Sequence, residues 1–96
     1  MSDVIDAAVN TLNEKLGGGG FDGSAKFVIE GEGAIVLDSE GARAGDEPAD
    51  VTLTAEADVF QSMMEGDLNP TAAFMSGKLS VDGDMGLAMK LGAVLG

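Results

Sequence analysis

Ninety-six residues carry seventeen acidic and five basic side chains, a formal net charge of −12, with no cysteine and no histidine. That charge argues against nucleic acid, whose binding rests on Lys and Arg neutralising phosphates, and against adsorption to anionic membranes. The missing residue types remove disulfides, thiolate metal sites and the commonest general base and metal ligand, so neither a cofactor nor a metal is expected.

The length supports one domain, residues 1–96, burying a little under ~70% of its unfolded surface. From the amino terminus, Ser2 reads as a helix N-cap, with Asp3 and Asp6 in the first turn where the helix dipole favours anions. Ile5, Ala8, Val9, Leu12 and Leu16 recur at helical spacing, which predicts an amphipathic helix over residues 3–16, ended by Lys15 and Gly17. Gly17 to Gly20 reads as a flexible helix-ending loop, since no strand precedes it and no Gly-Lys-Ser/Thr follows as a phosphate cradle requires. Ala25–Glu30 and Ala34–Asp38 are β-rich runs joined by Gly31-Glu32-Gly33, a hairpin. Ser39 to Asp50 is turn-rich with little to bury, and is expected to be a mobile tip. Asp50 to Glu56 alternates strictly, with Val51, Leu53 and Ala55 on one side and Thr52, Thr54 and Glu56 on the other, a half-buried antiparallel strand.

Asp58 is expected to cap a helix over Val59–Glu65, with Phe60, Met63 and Met64 inward and Gly66 as its stop. Asn69 caps a short helix over Pro70–Ser76, and Leu79 to Val81 form a brief strand. A tight Asp82-Gly83 turn and Asp84 then launch a final helix. After Met85 its only charge is Lys90, and Leu87, Met89, Leu91, Val94 and Leu95 do not fit one ~100° stripe. Such a helix must be covered on more than one side, and it reads as one wall of an apolar cavity. Helix, three strands, two short helices, strand, helix predicts an α+β domain whose sheet has one wet face and one face under helices.

The chemical motifs within reach fail on spacing. Asp82-Gly83-Asp84 begins like a calcium loop, but its fifth, sixth and twelfth positions are Gly86, Leu87 and Ala93. Gly77-Lys78 is followed by Leu79 where a Walker motif needs a hydroxyl. No serine sits in a nucleophile elbow, and without histidine there is no ordinary triad. The acids fall in turns, caps and polar positions and read as solvated charge, so no catalytic residue is assigned. An enzyme would need Asp67, Asp82 or Asp84 inside the cavity with a strongly raised pKa.

Methionine is the remaining feature. Apart from Met1, all of them lie late in the chain, at Met63, Met64, Met75, Met85 and Met89, beside Phe60 and Phe74. They could fill a core, but methionine also repacks around guests of different shape. Gly86 and Gly92 interrupt the final helix at up to ~1 kcal/mol each relative to Ala, and no Trp or Tyr is present to plug the interior. Flexible fillers under a loosely held apolar helix suit a lipid tail.

At these residues the chain resembles the sterol carrier protein 2 domain family. The likeness is carried by Phe60, by Glu65-Gly-Asp-Leu-Asn-Pro70, by Ala73-Phe-Met-Ser-Gly-Lys-Leu79, by Gly83-Asp84-Met85 and by Ala88-Met-Lys-Leu91. Val51 to Thr54 and the leading helix follow the expected order, so the likeness covers nearly the whole chain and is most specific in its second half. It implies a mainly antiparallel five-stranded sheet covered on one face by helices, with an apolar tunnel between them and a fifth strand near Arg43 or folded into one already counted. It also implies a non-enzymatic role, binding and transfer of sterol-like lipids, fatty acids or fatty acyl chains, alone or attached to an enzyme. Contact with a membrane surface or an enzyme partner would be transient, without stable membrane insertion.

Carried onto this chain, the tunnel wall is Phe60, Met64, Phe74, Met75, Leu79, Met85, Ala88, Met89 and Leu91. The chain ends soon after the final helix, without the tail that closes the tunnel in peroxisomal relatives. The acidic charge makes an anionic CoA head group a poor guest, so a neutral lipid or simple fatty acid is expected. Met1 to Leu16 lacks a basic leader, no run is long enough to span a membrane, and the last residues are Ala-Val-Leu-Gly rather than Ser-Lys-Leu. A cytoplasmic protein is therefore expected. The alternative is a protein-interaction or dimerisation module using the apolar C-terminal helix.

Overall fold

The computed structural model describes residues 3–17 and 19–95; the expected N-cap Ser2 and Gly18 of the glycine loop lie outside the described residues. The elements are α1 (Asp3–Lys15), β1 (Ala25–Glu30), β2 (Gly33–Asp38), β3 (Gly41–Ala44), β4 (Val51–Glu56), α2 (Ala57–Met64), α3 (Pro70–Met75), β5 (Leu79–Gly83) and α4 (Met85–Leu95). One five-stranded sheet runs in the order β3-β2-β1-β4-β5. Every neighbouring pair is antiparallel except β1 and β4. The strand read as antiparallel is therefore so only toward β5; toward β1 it is parallel.

Alternation within the strands sets the two faces. In register across the central pair stand Ala25 with Val51, Phe27 with Leu53 and Ile29 with Ala55. All six are buried. Their odd-numbered set forms the floor on which the helices lie, α1 over β2 and β3, α2 and α4 over β1 and β4, α3 against β5. Helix α1 buries Ile5, Ala8 and Leu12, as its spacing required. The centre of the core is an edge-to-face pair, Phe27 on the sheet and Phe60 on α2, with ring centroids 4.5 Å apart. No described helix is long and apolar enough to cross a membrane.

The stretch expected to be a mobile tip instead supplies the fifth strand and a strap. Gly41-Ala-Arg-Ala44 has no β-branched or aromatic residue, so propensity alone does not reveal it. It is a strand because β2 pairs with it and because α1 seals its outer edge. The Asn13 amide donates to the Ala42 carbonyl at 3.0 Å, and its oxygen accepts from the Ala42 N–H at 2.9 Å. Gly45 to Asp50 then crosses the outer face of the sheet. Lys26 on β1 binds Asp46 at 2.9 Å, and the Asp50 N–H donates to Ser24 Oγ at 2.9 Å. Beneath the strap Val36 is buried on the face expected to be wet.

Two helix starts also differ from expectation. Chain β4 runs directly into α2, whose N-cap is Glu56 without a side-chain bond; Asp58 lies inside the first turn, accepting from the Val59 N–H at 3.0 Å. Strand β5 continues through Asp82-Gly83, so there is no turn there. Gly83, at φ +115°, packs so close to β4 that a Cβ would collide with the Asp50 carbonyl.

Asp38, at the β2–β3 turn, accepts from the Glu40 N–H at 2.9 Å and from Arg43 Nη1 at 2.8 Å. The backbone bond first and the guanidinium second hold its carboxyl below the ordinary value of 3.8. A depressed carboxyl pKa favours the folded state above the unfolded value and loses that contribution as pH falls through the folded one. Asp38→Asn is expected to be less stable than the parent near neutral pH. The difference should fade below 3.8 and vanish once the carboxyl is protonated in both states, which urea titrations across this range will measure.

Candidate functional site

Helix α4 meets the sheet with only part of its circumference. Ala88 and Leu91 are buried in the core. Met85, Met89 and Ala93, at i, i+4 and i+8 on another face, are exposed. Across from them lies α3, whose six residues are too few to close the gap. Asn69 starts α3 by accepting from the Thr71 N–H at 2.7 Å, and Pro70 fixes its first turn. Asp84 starts α4, accepting from the Leu87 N–H at 3.2 Å, while its carbonyl accepts from the Ala88 N–H at 3.1 Å. Strands β4 and β5 form the floor with Leu53, Leu79 and Val81.

The result is a groove of about 520 Å³ between α3 and α4, open to solvent and lined largely by apolar groups from α3, β4, β5 and α4. Its volume falls inside the ~300–1,000 Å³ range of small-molecule sites. Among the described residues, none that lines it is charged. Residues 70–96 hold two lysines and two aspartates and are neutral overall, so the whole charge of −12 belongs to residues 1–69. Asp67, Asp82 and Asp84 all stand exposed at the surface, outside the lining.

Of the residues assigned from sequence, Phe74, Leu79, Met85, Ala88 and Met89 meet in this groove. Phe60 and Leu91 do not; both are core residues, 2% and 0% exposed. Met64 sits half-buried in a separate crease between α1 and α2, edged by Asp3 and Glu65. Met75 is on the surface outside the groove, 81% exposed. Geometry separates them, because successive helical residues lie ~100° apart and Phe74 and Met75 cannot face one site. Met85, Met89 and Gly92 share a face that the spacing already contained, whereas Ala88 and Leu91 mark the core stripe. Leu53 and Val81 were missed although their strand alternation puts them on the covered face. Pro70, Thr71, Gly92 and Ala93 were also missed, and only the α3–α4 pairing identifies them.

Residues 8–96 match the SCP-2 sterol transfer family. Hydroxysteroid dehydrogenase-like protein 2 of Xenopus tropicalis is 44% identical over 82 residues, covering 77% of this chain and 20% of that protein. Sterol carrier protein 2 of Homo sapiens is 42% identical over 64 residues, covering 67% of this chain and 11% of that protein. The chain therefore spans a fifth or less of these curated relatives. In fold it is similar to sterol carrier protein 2 of Aedes aegypti, solved in complex with a C16 fatty acid, palmitate; the TM-score is 0.79 at 24% identity over 99% of this chain and 96% of that one.

Two substitutions separate core from groove. Phe60→Ala removes the partner of Phe27 and is expected to cost about 3–5 kcal/mol, seen as a large drop in the denaturation midpoint. Gly92→Ala places a Cβ in ordinary contact with Pro70 Cβ at 3.8 Å. It should raise stability by up to ~1 kcal/mol through helix propensity. A Gly92→Ala protein that melts below the parent would show that α3 and α4 pack more tightly than described.

Proposed function

Because the chain belongs to the SCP-2 sterol transfer family, we propose that it binds one apolar lipid molecule in the α3–α4 groove and carries out no chemistry on it. The observation that carries this reading is the face of α4 left bare, Met85 and Met89 being 49% and 75% exposed while Ala88 and Leu91 are buried in the core. Phe74, at 44%, stands opposite them on α3. A lipid laid between these side chains covers what the protein itself leaves in water. Methionine on one wall accommodates chains and ring systems alike.

Magnitudes favour long guests. A micromolar Kd corresponds to about −8 kcal/mol, which about ten fully buried methylenes supply at ~0.8 kcal/mol each. About five more offset the ~4 kcal/mol or more lost in association. The groove is open, so coverage is incomplete and short chains should bind poorly.

The polar end of the guest meets little to hold it. Asn69 and Asp84 already occupy N–H groups at the starts of α3 and α4. Lys26, Arg43 and Lys90 are engaged in ion pairs with Asp46, with Asp38 and Glu47, and with Asp22. Nothing in the lining neutralises a phosphate, which favours a neutral lipid or simple fatty acid over acyl-CoA. A second reading, pairing of the apolar last helix with another protein, rests on the same exposed methionines; sedimentation of delipidated protein separates it, a stable dimer counting against the carrier.

Displacement of a fluorescent long-chain fatty acid should reveal saturable, micromolar-range binding. Met89→Asp puts a carboxylate on the bare wall without touching the core, so it should abolish binding while the circular dichroism spectrum and melting temperature stay close to those of the parent. Unchanged affinity in that variant would sink the groove as the site.

A further inference from the structure

A second depression, the crease of about 400 Å³ between α1 and α2, takes no part in the carrier reading. Its base is Phe60, 2% exposed, and its walls include Val4 and Met64. Val4 is the one large apolar side chain left exposed outside α3 and α4 among the described residues. Ala7 keeps the α1 wall low. Two charged residues edge this apolar space, Asp3 and Glu65, both acidic and neither in an ion pair among the described residues. We infer that the crease is a second binding site, for a compact apolar ammonium ion. This holds whether or not the α3–α4 groove carries a lipid.

Charge and shape select this guest. A helix dipole favours acids in the first turn and disfavours them at the last. Asp3 obeys that rule, since it opens α1. Glu65 breaks it: it is the C-cap of α2, whose last turn has no basic residue to offset it. Its carboxylate adds to the partial negative charge of the helix end, and a cation seated beside it relieves both. Among the described residues, none that lines the crease is basic. An anion is repelled from this edge, while the seventeen acids of the chain raise the local concentration of any cation. From Asp3 to Thr11 the α1 wall rises about 12 Å at ~1.5 Å per residue, room for a compact body and too short for an extended long chain. The volume lies within the ~300–1,000 Å³ of small-molecule sites, which combine an apolar lining with a few polar groups that fix orientation.

Titration of isotope-labelled protein, followed through its amide NMR shifts, is the direct test, with adamantylammonium as the probe and adamantanol as its uncharged counterpart. The ammonium should move α1 and α2 amides saturably. It should bind about three- to tenfold more tightly than the alcohol, the gain expected from two exposed carboxylates, and added salt should narrow that gap. Asp3→Asn combined with Glu65→Gln should erase the preference. Glu40→Gln combined with Asp82→Asn removes the same charge outside the crease and should keep it. Ala7→Leu should fill the space and abolish saturable binding of both probes. All five positions are exposed, so the fold should persist in each variant. Equal affinity for the two probes overturns the proposal, as does a preference that survives the loss of Asp3 and Glu65, unchanged binding to Ala7→Leu, or shifts confined to α3 and α4. So do α1 and α2 shifts that follow protein concentration without any probe, which assign the crease to a second copy.

Discussion

Helix α4 carries more apolar side chain than this sheet can cover, and the shape of the molecule follows from that mismatch. Its core stripe, Ala88 and Leu91, closes the end of a core that also contains Leu12, Phe27 and Met63. Its second stripe, Met85, Met89 and Ala93, faces a groove floored by Leu53 and Val81 instead of packing directly on the sheet, and has no long helix beside it. Strand β5 is an edge, and α3 is only six residues long. Leaving such surface in water forgoes about 25 cal/mol for each Å². The glycines in α4 add a further cost, because Gly92 sits where an alanine side chain has room. A chain optimised only for folding has simple remedies at both places; the arrangement makes sense when the missing cover is a molecule that comes and goes.

The rest of the fold gives that helix a rigid floor. The parallel pair β1 and β4 lies in the middle of the sheet, each strand flanked by antiparallel neighbours. A parallel pair needs a crossover, and here the connection is the β2–β3 hairpin followed by the strap from Gly45 to Asp50. The strap is fixed by Asp46 to β1 and by Asp50 to the loop before it. Asp50 serves twice, since its carbonyl accepts from the Asp84 N–H at 3.0 Å, just where α4 begins. The end of the crossover and the start of the groove-forming helix are thus one junction, and Gly83 is there because that junction admits no side chain.

The sequence made the periodic parts legible and left the relational ones hidden. Helix α1 and the alternating strands β1 and β4 follow from spacing alone, because a buried stripe or face leaves its period in the residues. Strand β3 does not, since Gly41 to Ala44 is held by β2 and by the Asn13 amide rather than by its own propensity. Reading Asp82-Gly83 as a turn failed for a related reason: the dipeptide permits a turn, but pairing with Val51 and Thr52 extends the strand through it. At the site, counting methionines and phenylalanines gathered residues from three environments. Helical phase alone separates Phe74 from Met75 and Met85 from Leu91; it does not reveal that Leu53 and Val81 lie beneath them. That requires knowing which strands α4 crosses.

Phe60 and Met89 illustrate why resemblance and geometry answer different questions. Both are apolar and both belong to the stretch that carries the family resemblance, Phe60 on α2 and Met89 on α4. Yet the Phe60 ring is enclosed against Phe27 while Met89 stands in water. A motif collects the residues that make the fold together with those that use it, and burial is the quantity that divides them. In this chain the division falls within single helices. Met63 of α2 is buried in the core and Met64 is only half-buried at its margin one residue later; Ala88 of α4 is buried and Met89 is not. The same short segments therefore supply both stability and binding surface, and substitutions one position apart act on different properties of the protein.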